Sequence, residues 1–116
     1  MQCNDEEVLP YTTISTDEAK SKIEAGTRVI DVRQPDEWNR GHITEAELVP
    51  LDGIYAFGKA LKELNIPEDE EVIFICASGQ RSAAACEIAL VAGLKKAYNL
   101  ANGMNGWVGR RYPVER

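Results

Sequence analysis

Cys76-Ala77-Ser78-Gly79-Gln80-Arg81-Ser82 is the segment of this 116-residue chain best equipped for chemistry. It places one thiol, one guanidinium, two hydroxyls and a glycine between two apolar stretches, Val72–Ile75 and Ser82–Ala92. If the first stretch is a strand and the second a helix, the loop exposes backbone N–H groups that lack intrahelical acceptors. With the helix dipole, those donors make a seat for an anion. Gly79, Ala77 and Ser78 are small enough for the backbone to curl closely around a central group. A thiol in such a seat ionises readily, its pKa falling from near 8.5 to about 3.5–7.5 in comparable surroundings. Arg81 adds a permanent charge with a forked donor set. The predicted chemistry is nucleophilic attack by a Cys76 thiolate, with residues Ala77, Ser78, Gly79, Gln80, Arg81 and Ser82 binding an incoming anion.

That thiolate needs no general base, and the single histidine, His42, argues against a Cys–His pair. The competing reading makes Cys76 a packed strand-end residue, as free cysteines often are. A thiolate enzyme also needs its sulfur reachable from solvent, so a side chain at 76 sealed away from it would defeat the catalytic reading. Cys86, amid Ala83, Ala84, Ala85 and Ile88, reads as core packing. Cys3 lies in a polar, acidic start and reads as incidental. Were a leader removed ahead of it, it would read instead as a lipid-bearing residue.

The elements that must hold this loop follow from hydrophobic spacing. Residues 1–10 read as a flexible tail, and residues 11–116 as one domain. Tyr11–Ile14 predicts a short strand, and Ser15 or Thr16 caps a helix over Thr16–Ala25 that ends at Gly26. Arg28–Val32 predicts a second strand with Asp31 near its end. Pro35 starts a single helical turn through Asn39, closed by Gly41. Glu47–Val49 is a weaker strand. Ile54, Phe57, Leu61 and Leu64 recur at helical spacing before Pro67. Val72–Ile75 lacks alternation, the pattern of a strand covered on both faces. Ser82–Ala92 is apolar nearly all round and predicts a helix in the interior. Ala97–Leu100 and Met104–Arg110 predict a last strand and a short final helix. Such alternation gives an α/β fold with a largely parallel sheet between helical layers.

Composition excludes several classes. The net charge is −6 and the pI about 4.8, so a phosphate backbone would be repelled and nucleic-acid binding is disfavoured. Three cysteines without C-x-x-C spacing argue against zinc, dithiol redox chemistry and a disulfide framework, and no cofactor is implied. A free thiol fits a reducing compartment, which makes the expected localisation cytoplasmic. No signal peptide or membrane span is visible. With no long apolar stripe left after the core is assigned, the expected state is a monomer.

Four separated pieces resemble the single-domain rhodaneses, the thiosulfate sulfurtransferase family. They are Asp31-Val32-Arg33; Glu37-Trp38 with Gly41-His42-Ile43; the Cys76–Ser82 loop; and Asn99-Leu100-Ala101-Asn102-Gly103 ahead of Trp107. The resemblance spans roughly residues 11–112. It implies a three-layer α/β/α rhodanese-like fold with a five-stranded parallel sheet in the order 3-2-4-5-1. It also implies transfer of a sulfane sulfur through a Cys76 persulfide, from a small anionic donor such as thiosulfate to cyanide, a small thiol or a protein thiol. Arg81 would then help seat the donor. Related phosphatases and arsenate reductases carry a loop one residue longer, so the six residues from Cys76 to Arg81 favour sulfur over phosphate. A partner-binding module or dedicated sulfur carrier stays open, since its loop chemistry would be the same. Asp31, Arg33, Glu37 and His42 read as scaffold, and Trp38 and Trp107 as cover for the core. Two departures stand out. Thr44-Glu45 replaces the family's Pro-Gly, and Asn102-Gly103 its Gly-Gly; asparagine tolerates the left-handed region next best to glycine.

Overall fold

The computed structural model describes residues 10–116, so the tail through Leu9, and Cys3 with it, lies outside the described residues. Five strands run β1 (Thr12–Ile14), β2 (Arg28–Asp31), β3 (Glu47–Leu48), β4 (Glu71–Ile75) and β5 (Lys96–Leu100). Between and after them come α1 (Thr16–Glu24), α2 (Pro35–Asn39), α3 (Ile54–Glu63), α4 (Gln80–Val91) and α5 (Gly103–Gly109). Every strand pairing is parallel, in the order β1-β5-β4-β2-β3, which is the expected order read from the other edge.

β4 is central because its side chains can be buried on both faces. Val72 and Phe74 join Ile30, Phe57, Leu61 and Ala85 beneath α3 and α4. Ile73 and Ile75, pointing the other way, join Ile14, Ile23, Leu100 and Trp107 beneath α1 and α5. This two-residue alternation carries one step past the strand and delivers Cys76 to the α3/α4 face. The Ser15 hydroxyl accepts the Glu18 N–H at 3.1 Å, the cap expected for α1.

Three expectations need correction. α4 begins at Gln80, two residues before Ser82, so Gln80 and Arg81 belong to its first turn. It is not interior all round: Ser82, Ala85, Cys86 and Ala89 are buried, while Glu87 faces solvent and Val91 is 89% exposed. Alanine-rich sequence hides that asymmetry, because a methyl group costs little on either side. Ile54, placed on the apolar face of α3, is 67% exposed and stands with Tyr55 and Val91 on a groove between α3 and α4. An exposed apolar patch therefore does remain, which removes the ground for expecting a monomer.

The last helix reaches the Cys76 loop by backbone contact. Met104 N–H donates to the Cys76 carbonyl at 2.8 Å, and Asn105 N–H to the Ala77 carbonyl at 3.0 Å. Only a residue without a side chain fits there, since a Cβ on Gly103 would lie 2.2 Å from the Cys76 oxygen, at a φ of +46°. Asn102 just before it takes φ +62°, the left-handed conformation expected of it. Gly103→Ala is expected to destabilise the protein by more than about 2 kcal/mol through overlap and backbone strain. Gly109→Ala, with nothing within 4 Å of the added carbon, should leave Tm nearly unchanged. Thermal unfolding of both variants checks this.

Candidate active site

Cys76 follows the C-terminal end of β4, and the chain turns at Gly79 (φ +100°) straight into α4. Three residues of the turn aim donors at the sulfur. Gly79 N–H reaches Cys76 Sγ at 3.0 Å, and the Ser82 hydroxyl lies 3.3 Å away. The backbone N–H groups of Ser82 and Ser78 add to the set. Burial is the largest single influence on the thiol and raises its pKa, but the Ser82 hydroxyl and the three N–H groups together outweigh it. The net shift is downward, as expected of a thiol in an anion seat.

The expectation that this sulfur is reachable from solvent is overturned. Cys76 is 0% exposed. A cavity of about 460 Å³ has its neighbour Ala77 in the wall, together with Arg33, Glu37, Met104 and Val108. Cys76 itself is not on that wall.

The remaining loop residues divide by role. Ala77 lines the cavity, while Ser78 and Gln80 turn their side chains to solvent. Arg81 is within electrostatic reach of Cys76, yet its guanidinium forms a two-pronged ion pair with Glu37, Nη1 to Oε1 at 2.8 Å and Nη2 to Oε2 at 2.9 Å. Arg81 pulls the Glu37 carboxyl from its ordinary 4.5 to about 2. Glu37 also accepts the Gln34 N–H at 3.0 Å, closing the first turn of α2. Asp31 and Arg33 are both buried and pair in the same two-pronged way, and Arg33 ties down the Glu37 and Gly41 carbonyls. These residues form the expected scaffold, with one addition: Glu37 also reaches the loop.

Asn99 was not among the expected site residues. Its Oδ1 accepts the Ser82 hydroxyl at 2.5 Å, while its Nδ2 donates to the Gly79 carbonyl at 3.2 Å. Because Nδ2 is committed to a carbonyl, the amide can only accept from Ser82. The Ser82 hydroxyl has one proton and two acceptors, Asn99 Oδ1 and Cys76 Sγ. With the thiol protonated, S–H can donate to Ser82; with the thiolate formed, the hydroxyl can turn to sulfur. The available signals for Asn99 were its place in the family-resembling segment and its polarity among the buried residues Ala97 and Leu100 of β5.

His42 has a structural place. Its ring stacks on Trp38 at 3.7 Å, Nδ1 meets the Trp38 carbonyl at 3.0 Å, and its backbone bridges Glu115. Trp107 covers the core as expected, whereas Trp38 is half-buried and belongs to neither core cluster.

A family model described as the rhodanese-like domain matches residues 15–110. A Bacillus subtilis relative named for sulfur carriage is 33% identical over 99 residues, covering 84% of this chain and 51% of that protein. Thiosulfate sulfurtransferase 18 of Arabidopsis thaliana is 29% identical over 112 residues, covering 88% of this chain and 82% of its own length. The crystal structure of a rhodanese-related protein from Thermoplasma volcanium matches with a TM-score of 0.76 at 31% identity, over 90% of this chain and 98% of that one. This chain thus spans about half the length of the Bacillus relative.

The two described cysteines should differ sharply towards iodoacetamide. Cys76 should be alkylated with a pH midpoint below that of an ordinary thiol, and Ser82→Ala should move the midpoint upward. Cys86, which burial and then Glu87 push up to about 12, should stay unmodified in the folded protein. If Cys76 resists alkylation in the native state across the pH range, the active-site assignment is wrong. The Glu37–Arg81 pair gives a second check. A depressed carboxyl contributes stability above its unfolded value of 4.5 and loses it as pH falls through about 2. Glu37→Gln should therefore flatten the dependence of Tm on pH across that window.

Proposed function

The chain belongs to the rhodanese-like domain family, and we propose that it moves a sulfane sulfur from thiosulfate or a similar donor to a thiophilic acceptor through a persulfide on Cys76. Relatives named as sulfurtransferases and sulfur carriers support sulfur transfer in general terms. The observation that carries the specific reading is the donor set facing the thiol, a hydroxyl and three N–H groups that lower its pKa; the closure over the sulfur tells against the reading unless the site opens.

In the first half-reaction the Cys76 thiolate attacks the outer sulfur of thiosulfate. The S–S bond of the donor breaks, and sulfite leaves with its electron pair. The product, Cys76–S–S⁻, keeps one negative charge, which now sits on the added sulfur. Residues 77–82 hold that charge as an oxyanion hole holds a developing alkoxide, with Ser78, Gly79 and Ser82 the N–H donors aimed at the sulfur already present. In the second half-reaction an acceptor, cyanide or a small or protein thiol, attacks the outer sulfur. The bond pair returns to Cys76 as thiolate. Because the sulfur is sealed in the resting state, each half-reaction starts with a displacement of the groups that cover it from the adjoining cavity.

A dedicated sulfur carrier is the second reading. The name of the Bacillus relative and the sealed sulfur favour it, since a persulfide out of contact with water would survive until a partner opened the site. A phosphatase or arsenate reductase is the least supported, because the six-residue loop is too short for the wider bowl of a phosphoryl group.

Mass spectrometry after incubation with thiosulfate should show one added sulfur atom, removed by cyanide as thiocyanate. Cys76→Ser should abolish both signals and Cys86→Ser neither. Labelling without turnover selects the carrier. Hydrolysis of an aryl phosphate without labelling would overturn the sulfur-transfer reading.

A further inference from the structure

Arg81 contributes the only formal positive charge in the loop, and Glu37 occupies its forked edge with both carboxylate oxygens. The other arginine buried beside the site, Arg33, is compensated in the same manner by Asp31. Arg40, farther along the cavity wall, pairs with Asp36 at 3.0 Å, both largely exposed. The whole chain carries −6. Arg116, which lies outside the loop, also stands in the cavity wall. An entering dianion therefore finds the loop's own guanidinium fork already occupied by Glu37. The cavity next to Ala77 also offers apolar wall from Met104, Val108 and Val114, and its volume of about 460 Å³ is far larger than a thiosulfate ion requires.

Resting on the sulfur-transfer reading above, we infer that Glu37 is a specificity-determining positioning residue, which engages Arg81 and so tunes the site to a monoanionic sulfane donor with an apolar body rather than to a dianion. Organic thiosulfonates and alkyl persulfides are donors of that class. For methanethiosulfonate the reaction balances simply: the Cys76 thiolate attacks the terminal sulfur, the S–S bond breaks, and methanesulfinate leaves with the electron pair. Two negative charges enter and two leave. The corresponding step with thiosulfate carries three on each side. Glu37 holds its charge throughout the neutral range, because Arg81 depresses its carboxyl to about 2.

The two probes differ by one charge, so the ratio of their kcat/KM values reports charge selection and cancels any general loss of activity. In Glu37→Gln, thiosulfate kcat/KM should rise about tenfold relative to methanethiosulfonate, the order expected when one charge-assisted contact becomes available. In Glu37→Asp, which keeps the charge but falls one methylene short of Arg81, the ratio should lie between wild type and Glu37→Gln. In an Arg81→Gln background the Glu37→Gln gain should vanish, since the effect is routed through the guanidinium. A ratio unchanged in Glu37→Gln and Glu37→Asp, with Tm showing both folded, overturns the inference. A gain that persists without Arg81 overturns it too, as it would show a general field effect. If wild type takes sulfur from neither probe, the sulfur-transfer reading itself falls.

Discussion

A sulfur anion removed from water survives only where the protein supplies the donors that water would have supplied. Cys76 and Cys86 make an internal comparison, because both are 0% exposed and they lie ten residues apart in one loop-helix unit. Burial raises the pKa of each and is the first influence on both. Cys86 sits inside α4, where the backbone N–H groups around it already serve i−4 carbonyls, and it is pushed to about 12. Cys76 sits at the N-terminal end of the same helix, where N–H groups have no such duty, and it moves the other way. Position along one helix decides in which direction each thiol's pKa moves.

The turn around Cys76 is fixed from three sides, two of them by the sheet neighbours of β4 and the third by a helix. β2 delivers the buried Asp31–Arg33 pair, whose guanidinium holds the α2 turn from which Glu37 reaches Arg81. β5 delivers Asn99, which orients the Ser82 hydroxyl and the Gly79 carbonyl together. The α5 N-terminus binds the Cys76 and Ala77 carbonyls. A buried ion pair such as Asp31–Arg33 adds little net stability on average, but removal of one partner leaves an uncompensated charge. Its value here is geometric: it sets where α2 lies, and therefore where Glu37 can reach. Ligands bind in such sheets beyond the carboxyl ends of the strands for the same reason, since that is where loops from separate strands converge.

Local pattern revealed what depends on local pattern. The apolar run Val72–Ile75 has the pattern of a strand covered on both faces, and Ser15 with Asp17 and Glu18 that of a helix start, so the elements and the loop were readable; the strand order came only with the family resemblance. α4 was started two residues late because Gln80 and Arg81 are polar and resemble loop. In the fold they form a first helical turn. Glu37 and Asn99 stood in quoted motifs but were read as scaffold or left without a role. Their contacts to the loop span 44 and 17 residues, and no periodicity encodes such a distance. The closure over Cys76 was likewise invisible, because burial of a strand-end side chain depends on the packing of residues distant in sequence such as Phe57 and Leu61. Ile54 shares the spacing of Phe57 and Leu61 but is the first residue of α3, and only the latter two are buried.

Charge bookkeeping at the site explains why dipoles rather than ions must hold the sulfur. Asp31 cancels Arg33 and Glu37 offsets Arg81, so the four formal charges nearest the loop sum to zero. What remains are the partial charges of N–H groups and one hydroxyl, fixed by the backbone and shielded from salt by burial. In the sulfur transfer proposed above, such donors would need no reorganisation as charge moves from the cysteine sulfur to an added one. A six-residue turn aims them at a single central atom, which suits one sulfur anion. A phosphoryl group spreads its charge over three oxygens and would need the donors set farther apart. The geometry that lowers the thiol's pKa is thus the same geometry that limits what the thiol can carry.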